Sequence, residues 1–443
     1  MKVSSQVMKA LKYLQESGFE AWLVGGCVRD FLLGKEPKDI DITTSAEPDE
    51  MKKVFANFKT IDTGIKHGTI TVCIENMNLE VTTFRIDGEY KDNRRPDTVK
   101  YTENLYEDLS RRDFTINAIA YTPQDGIRDY FGGVNDLRNG VIRGVGDAEI
   151  RFAEDALRIL RGIRFAAVLG FDIEKETARA MFTQKHLVVK ISGERVFNEL
   201  EKMLCGKAVK TVLCEYIDVL EPILPEITAM KGFQQYNPYH DFDLFEHTLR
   251  TVDNVPPVFH LRLAALLHDV GKPVSFFLDE QGVGRFHGHD IMGVDIARDI
   301  LNRLKSDSKT KHKVLELIKY HDYNLVADKK SVKRMLNKLD EESLLDLLLL
   351  KRADIIAQKG NKEDERLANL EKVQNLIRLI KQEGEAFKLK DLAVCGHDII
   401  KLGVKPGKDV GIVLADLLEV VLEESLSNER QVLLDYVKKK YLN

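Results

Sequence analysis

Apolar positions in the first 145 residues follow two different periods. From Val3 to Glu16 they recur at helical spacing and stop at Gly18. Ala21 to Val24 is a short apolar run feeding Gly25-Gly26, which predicts a strand ending in a turn. Ile40 to Thr44 reads as a second strand, and Thr69 to Ile74 and Leu79 to Arg85 alternate as strands around Asn76-Met77-Asn78. From about residue 150 to 225 the pattern is nearly all helical. Pro222, Pro225 and Pro238 then cluster in an aromatic-rich connection. Helix dominates again to the end, with a charge-laced stretch from Asn361 to Glu383 and a last small unit from Phe387 broken at Gly396, Gly403, Pro406 and Gly407. The pattern predicts an α+β chain: a head of small mixed sheet and helices over 1–145, a helical neck over 146–230, a second helical domain over 231–360 and a helical tail over 361–443.

Composition narrows the class. A chain of 443 residues has room for about three domains. Charged residues at 31% and hydrophobic ones at 44% argue against wholesale disorder. Lys and Arg number 66 against 71 Asp and Glu, a net charge of -5. That excludes a strongly basic coat, so any RNA binding must rest on a local positive stripe. No apolar run approaches the roughly 18 residues of a membrane span, and the first residues lack a signal peptide's apolar core. The five cysteines (Cys27, Cys73, Cys205, Cys214 and Cys395) are scattered without a C-x-x-C. They suit a reducing cytosol, so a cytoplasmic location is expected, with no membrane partner. Oligomeric state is left open.

The first candidate chemistry lies in LVGGCVRDFLLGKEPKDIDITT, Leu23 to Thr44. Gly25 and Gly26 let backbone approach a phosphate at the start of a helix, and Arg29 can fork onto it. Asp39 and Asp41 are two apart in a strand, so both carboxylates share a face. Like charges held that close call for a divalent cation, and hard oxygens suit Mg²⁺. Glu80, in LEVTTF, can join them from an adjacent strand, the acid set of two-metal phosphoryl transfer.

VGGCVRDFLLG followed by DIDITT resembles the head motif of polymerase-β-type nucleotidyltransferases, in particular class II CCA-adding enzymes and bacterial poly(A) polymerases. LSRRDFTINAIAY (Leu109 to Tyr121), GGVNDLRNGVIR (Gly132 to Arg143), RFAEDALRILRGIRFAAVLGF (Arg151 to Phe171) and ISGERVFNEL (Ile191 to Leu200) match the family's next four motifs in order. The resemblance implies that CMP, CMP and AMP are added to a tRNA 3′ end from CTP and ATP, with Mg²⁺ on Asp39 and Asp41 and Glu80 as ligand or base. A-only addition or poly(A) synthesis is the alternative within the family.

Six Arg and no Lys lie between Arg138 and Arg164. Stepped as one helix, Phe152, Ala156, Ile159, Leu160 and Ile163 share a face, with Glu154, Arg158 and Arg161 opposite and Asp155 on the border. An Asp acceptor beside an Arg fork can hydrogen-bond the edge of cytosine or adenine and mismatch uracil or guanine. The resemblance implies this role for Asp155 and Arg158. Arg161 and Arg164 then fall near phosphates, with RNA backbone or a neighbouring acid as the other partner for Arg164. Arg111 and Arg112 can contact the triphosphate, Asp113 can accept from a ribose hydroxyl, and Asn117 is expected to order the local loop. The charged stretch from Arg85 to Asp108, which includes DNRRPD (Asp92 to Asp97), reads as a mobile loop. In the family such a loop resets the template from C to A, and CC-only relatives lack it.

His247, His268-Asp269 and Asp354 resemble the ligand set of HD-domain metal phosphohydrolases. Imidazoles with carboxylates suit Mn²⁺, Ni²⁺ or Co²⁺. Lys272 can contact a phosphate, and His287, His289, His321 and Asp322 can widen the site or bind a second metal. Hydrolysis of nucleotide or RNA-end phosphates is the alternative main activity from a different class. The tail from Leu392 to Arg430 also resembles the C-terminal unit of these tRNA nucleotidyltransferases.

Overall fold

The segments of period two pair into one seven-stranded mixed sheet in the computed structural model, which describes residues 3–37, 39–88, 99–236, 242–358 and 363–442. Its strands are β1 (Ala21–Val24), β2 (Asp41–Thr44), β3 (Lys59–Gly64), β4 (Thr69–Ile74), β5 (Met77–Thr83), β8 (Ile119–Thr122) and β9 (Gly126–Asp129), in the order β3-β4-β5-β2-β1-β8-β9. Only β2 and β5 run parallel, and their register sets Asp41 directly beside Glu80. Alternation sorts the faces. Leu23, Ile42, Ile70, Leu79 and Val81 fill a core under α1 (Ser5–Glu16) and α3 (Pro48–Val54), while Trp22 and Val24 pack with Phe84 and Leu109 on the other side. Asp41 and Glu80 alternate with Ile42 and Val81, so burying the latter pair aims the acids at the opposite face.

Two expectations need correction. The stretch from Arg85 to Asp108 is not simply a loop. β6 (Arg85–Asp87) pairs with β7 (Val99–Tyr101), and α4 (Leu105–Ser110) buries Leu105, Asp108 and Leu109. Sparse apolar anchors hid this, because Asp108 is itself a buried anchor. DNRRPD lies outside the described residues. The arginine helix is also not continuous. After α2 (Gly26–Leu32) and α5 (Gly133–Asn139), α6 (Ala148–Glu154) stops at Asp155, and α7 (Leu157–Leu169) begins just beyond it. Asp155 is extended (φ -134°, ψ 104°), and its carboxylate accepts from Leu157 N–H at 3.1 Å. A local side-chain bond has replaced a helical one. α8 (Lys175–Gln184), α9 (Gly193–Leu204) and α10 (Val209–Leu220) complete the neck.

The chain divides into two compact units, 1–228 with 303–305, and 229–302 with 306–443. α11 (Pro225–Thr228) belongs to the first unit; in the second, α12 (Leu244–Asn254) packs on α18 (Glu341–Ala357), α13 (Phe259–Leu267) on α16 (Ser308–Tyr320), and α18 on α19 (Glu363–Gln382), interspersed with α14 (Lys272–Ser275), α15 (His289–Arg303) and α17 (Lys329–Lys338). Among the described residues, no helix is long and apolar enough to cross a membrane.

Candidate functional site

β1 delivers the chain into Gly25, whose φ of 73° and ψ of -135° suit glycine alone. A Cβ there would stand 3.0 Å from an Arg112 nitrogen. The turn puts Arg29 across from the motif after α4, where its Nη1 donates to Asn117 Oδ1 at 2.8 Å. A cavity of about 540 Å³ opens here, the size of a nucleotide pocket. Gly25, Gly26, Arg29, Asp39 and Asp41 border it from the head's first turn and strand, as do Asn117, the Arg111–Asp113 run, Asp155, Arg158, Arg161 and Arg164, while Glu80 stands beside Asp41. Burial, and then the charge of Asp39, push the Asp41 carboxyl up, while Arg112 pulls it down. Burial and the charges of Asp41 and Asp39 raise Glu80 in the same way. Crowded carboxylates whose charges raise the proton affinity of Asp41 and Glu80 fit a divalent cation.

Arginines line the facing wall. Arg158, opposite the apolar face, is nonetheless only 8% exposed. It donates to Glu154 Oε2 (2.7 Å) and to the carbonyl oxygens of Arg151 (3.2 Å) and Arg111 (2.8 Å). Asp155 is held by Arg195, at 3.0 Å. Arg164 meets Glu199 at 2.5 Å and lies over the Phe165 ring, 3.8 Å from its centre. Arg195 and Phe165 border the cavity but escaped the sequence reading. Arg195 was visible only as part of ISGERVFNEL, and its partner lies 40 residues away.

Asp113 is engaged on both oxygens. Oδ1 accepts from Phe114 N–H and from Asn117, and Oδ2 accepts from Arg161 Nε at 2.7 Å. It thus fixes the Arg161 fork. Burial opposes its charge, but Arg161 and Asn117 hold its pKa down to about 2. Because folding depresses this pKa, the pair stabilises above the ordinary value of 3.8 and is lost as pH falls toward 2. The depression corresponds to about 2 kcal/mol. Acid unfolding of Asp113→Asn should show a drop between pH 4 and 2 that is smaller than the parent's by about that much.

Asp108, missed from sequence, is fully buried. Its oxygens accept from Arg111 (2.7 Å), Arg112 (3.3 Å), Thr43 (3.2 Å) and Arg85 N–H (3.4 Å). One carboxylate therefore ties β2, the β6 hairpin and both arginines together. The only hint in the sequence was an acid three residues before Arg111.

The second unit brings His247, His268, Asp269 and Asp354 together and adds His289 and His321. His268 is not inside a helix with Asp269. α13 ends at Leu267, and His268 caps it, so the pair sits at a helix end. His247 Nε2 lies 3.0 Å from Asp354 Oδ1, and His268 Nε2 lies 3.2 Å from Asp269 Oδ2. Ligand atoms of His247, His268 and Asp354 fall within 4.8 Å of one another, as do those of Asp269, His289 and His321. The Nδ1 atoms of His268, His289 and His321 donate to the carbonyls of Ala265 (2.8 Å), Phe286 (2.9 Å) and Ile318 (2.6 Å). A carbonyl accepts only, so each neutral ring carries its proton on Nδ1 and turns a bare Nε2 inward. The Nε2 atoms of His289 and His321 stand 3.2 Å apart. Facing lone pairs around two carboxylates fit cations. Neither His287 nor Asp322 belongs to these groups. Lys272 pairs with Asp269 at 2.7 Å.

An acid strand edge looking across a nucleotide-sized cavity at arginine forks is the layout of a nucleotidyltransferase, and the family model described as Poly A polymerase head domain matches residues 21–143. Models described as probable RNA and SrmB-binding site of polymerase A and as tRNA nucleotidyltransferase domain 2 (putative) match 170–231 and 290–437. The chain is 34% identical to the CCA-adding enzyme of Lactobacillus helveticus, covering 98% of this chain and 96% of that one. It is also 34% identical to that of Lactobacillus delbrueckii subsp. bulgaricus, over 98% of each. The solved CCA-adding enzyme of Bacillus stearothermophilus in complex with CTP superposes with a TM-score of 0.71 at 28% identity, over 98% of this chain and 96% of that one. The chain belongs to the CCA-adding enzyme family of tRNA nucleotidyltransferases.

Proposed function

We propose that this protein adds CMP, CMP and AMP to tRNA 3′ ends from CTP and ATP. The observation that carries the reading is the single cavity in which the Asp39–Asp41 edge faces Asp155 and Arg158, in a chain of this family. The tRNA 3′ oxygen bonds to the α-phosphorus, the bond to the β-phosphate breaks, and pyrophosphate leaves. Asp39 and Asp41 would hold Mg²⁺, which when bound would supply positive charge to the triphosphate and to the attacking hydroxyl. Glu80 takes the hydroxyl proton or completes the carboxylate set. Arg29, Arg111, Arg112, Arg161 and Arg164 surround the triphosphate, and Asp155 and Arg158 read the base edge. Incubation with tRNA lacking its CCA and labelled CTP or ATP tests this reading. Sequential C then A incorporation supports it, and A alone selects the A-adding alternative.

Arg158→Ala should relax rejection of UTP and GTP more than it slows CMP addition, since a bidentate base contact discriminates by about 1–3 kcal/mol. Unchanged selectivity in misincorporation assays would remove the base-reading role.

The four-domain division stands as a proposal within this reading, as does a cytoplasmic location, which the free cysteines suit. We further infer that the second unit carries an HD-type phosphohydrolase centre for a transition metal such as Mn²⁺, Ni²⁺ or Co²⁺. His247, His268 and Asp354 form one ligand group, and Asp269, His289 and His321 a second. Bound there, the ion supplies Lewis-acid charge to a phosphate. The bare inward nitrogens support this reading.

A further inference from the structure

Asp108 stands one layer behind the nucleotide cavity. It lies in the last turn of α4 and is fully buried, while Arg111 and Arg112, three and four residues on, border the cavity. That spacing brings both arginines to the face of α4 that carries the carboxylate.

Each carboxylate oxygen holds one guanidinium. Oδ1 accepts from both Nε (3.1 Å) and Nη2 (2.7 Å) of Arg111, so one whole edge of that fork is fixed. Oδ2 accepts from Arg112 Nη2 at 3.3 Å. The other terminal nitrogen of Arg112, Nη1, reaches the glycine turn, 3.0 Å from where a Cβ on Gly25 would stand. Two guanidiniums share one carboxylate, so the pairing orients them without cancelling both charges. Asp108 is itself anchored, by Thr43 Oγ1 at 3.2 Å and by Arg85 N–H at 3.4 Å. Thr43 lies two positions beyond Asp41 on β2, on the same strand face. The acid edge and both arginines are thus indexed to one another. Burial opposes the charge of Asp108, but Arg111 and Arg112 outweigh it and hold its carboxyl below the ordinary range. A long arginine side chain loses rotamer freedom when it grips a phosphate, and a clamp that has already taken that loss raises affinity. Base reading runs through a different contact. Arg158 Nη2 donates to the Arg111 carbonyl at 2.8 Å, a backbone atom outside the Asp108 clamp.

We propose that Asp108 is a positioning residue for nucleotide addition: it aims Arg111 and Arg112 at the triphosphate, and so sets affinity for CTP and ATP alike without taking part in base choice. This rests on the nucleotidyltransferase reading above. Asp108 acts only through the two arginines. A grip on phosphates made equally in the ground and transition states lowers KM and leaves kcat alone.

The test uses the full chain with Mg²⁺, tRNA lacking its CCA, and Asp108→Asn, which keeps the shape and withdraws the charge. KM for CTP and for ATP should each rise by about tenfold, the worth of one charge-assisted contact, with kcat nearly unchanged. Two competing probes separate phosphate from base. Inorganic tripolyphosphate should inhibit the variant about tenfold less well than the parent, and cytidine should inhibit both equally. Rejection of UTP and GTP should match the parent's. An unchanged KM, a loss confined to kcat, equal weakening of both probes, or relaxed rejection of UTP overturns the proposal. If Asp108→Asn does not fold, the double variant with Arg112→Gln removes one charge of each sign. A higher KM for CTP in the double variant than in Arg112→Gln alone supports the clamp on Arg111, and an equal KM overturns it. If the parent adds no nucleotide, the nucleotidyltransferase reading falls, and equilibrium dialysis with tripolyphosphate decides the role of Asp108 separately. Weaker retention by Asp108→Asn than by the parent sustains it, and equal retention overturns it.

Discussion

Asp41→Asn should reduce CMP and AMP incorporation into tRNA by about a thousandfold or more, while tRNA affinity stays near the parental value. Metal charge at a transferring phosphoryl group is worth several kcal/mol, and about 4 kcal/mol is a thousandfold in rate. Asparagine keeps the volume but withdraws the carboxylate charge. The same change should leave the fold intact. Burial and Asp39 already press the Asp41 carboxyl toward its neutral form, so a neutral isostere relieves repulsion in the metal-free protein. The melting temperature without Mg²⁺ is therefore expected to hold or rise, and Mg²⁺ should stabilise the variant less than the parent. Single-turnover incorporation read with thermal melting separates these effects. Near-normal turnover would end the proposed metal role of the strand edge.

His268→Asn should strip the second unit of transition metal and abolish phosphate hydrolysis, with CCA addition retained. The ring's Nδ1 is committed to the Ala265 carbonyl, so Nε2 is its only ligand atom, and an asparagine cannot place a nitrogen lone pair there. Loss of a second-group ligand, as in His321→Asn, should cost activity while some metal stays bound to His247, His268 and Asp354. Metal content by elemental analysis, followed with pH, checks both. Protons compete for Nε2, so metal should leave as pH falls below roughly 6. Full metal content in His268→Asn would overturn the ligand assignment.

What the sequence disclosed followed from short-range periodicity. β1, β2, β4 and β5 were readable because alternation over four to seven residues and a glycine pair leave few other conformations. The strand period expected of Asp39 and Asp41 does not hold, because β2 begins only at Asp41 with Asp39 in the bend before it, and the Asp41–Glu80 pairing needed the parallel register of two strands far apart in sequence. The break at Asp155 was not readable. Apolar spacing from Phe152 through Ala156 to Ile163 continues across it, and the interruption comes from one side chain bonding Leu157 N–H. Asp108 and Arg195 were hidden for a related reason, since a charged residue looks solvated until the fold supplies its partner. Of the extra imidazoles, His289 and His321 joined the centre and His287 did not, a choice made by where helices end.

The parallel pairing of β2 with β5 has a kinetic side. Such a pair cannot form by a tight turn, so the chain between them must first be laid down as α3 and the β3–β4 hairpin. Every strand of the sheet lies between residues 21 and 129, whereas Arg195, which clamps Asp155, is made much later. During synthesis the acid edge is therefore assembled first and the arginine wall closes over it last. A ribosome stalled with about 150 residues emerged should present a folded sheet without base selection.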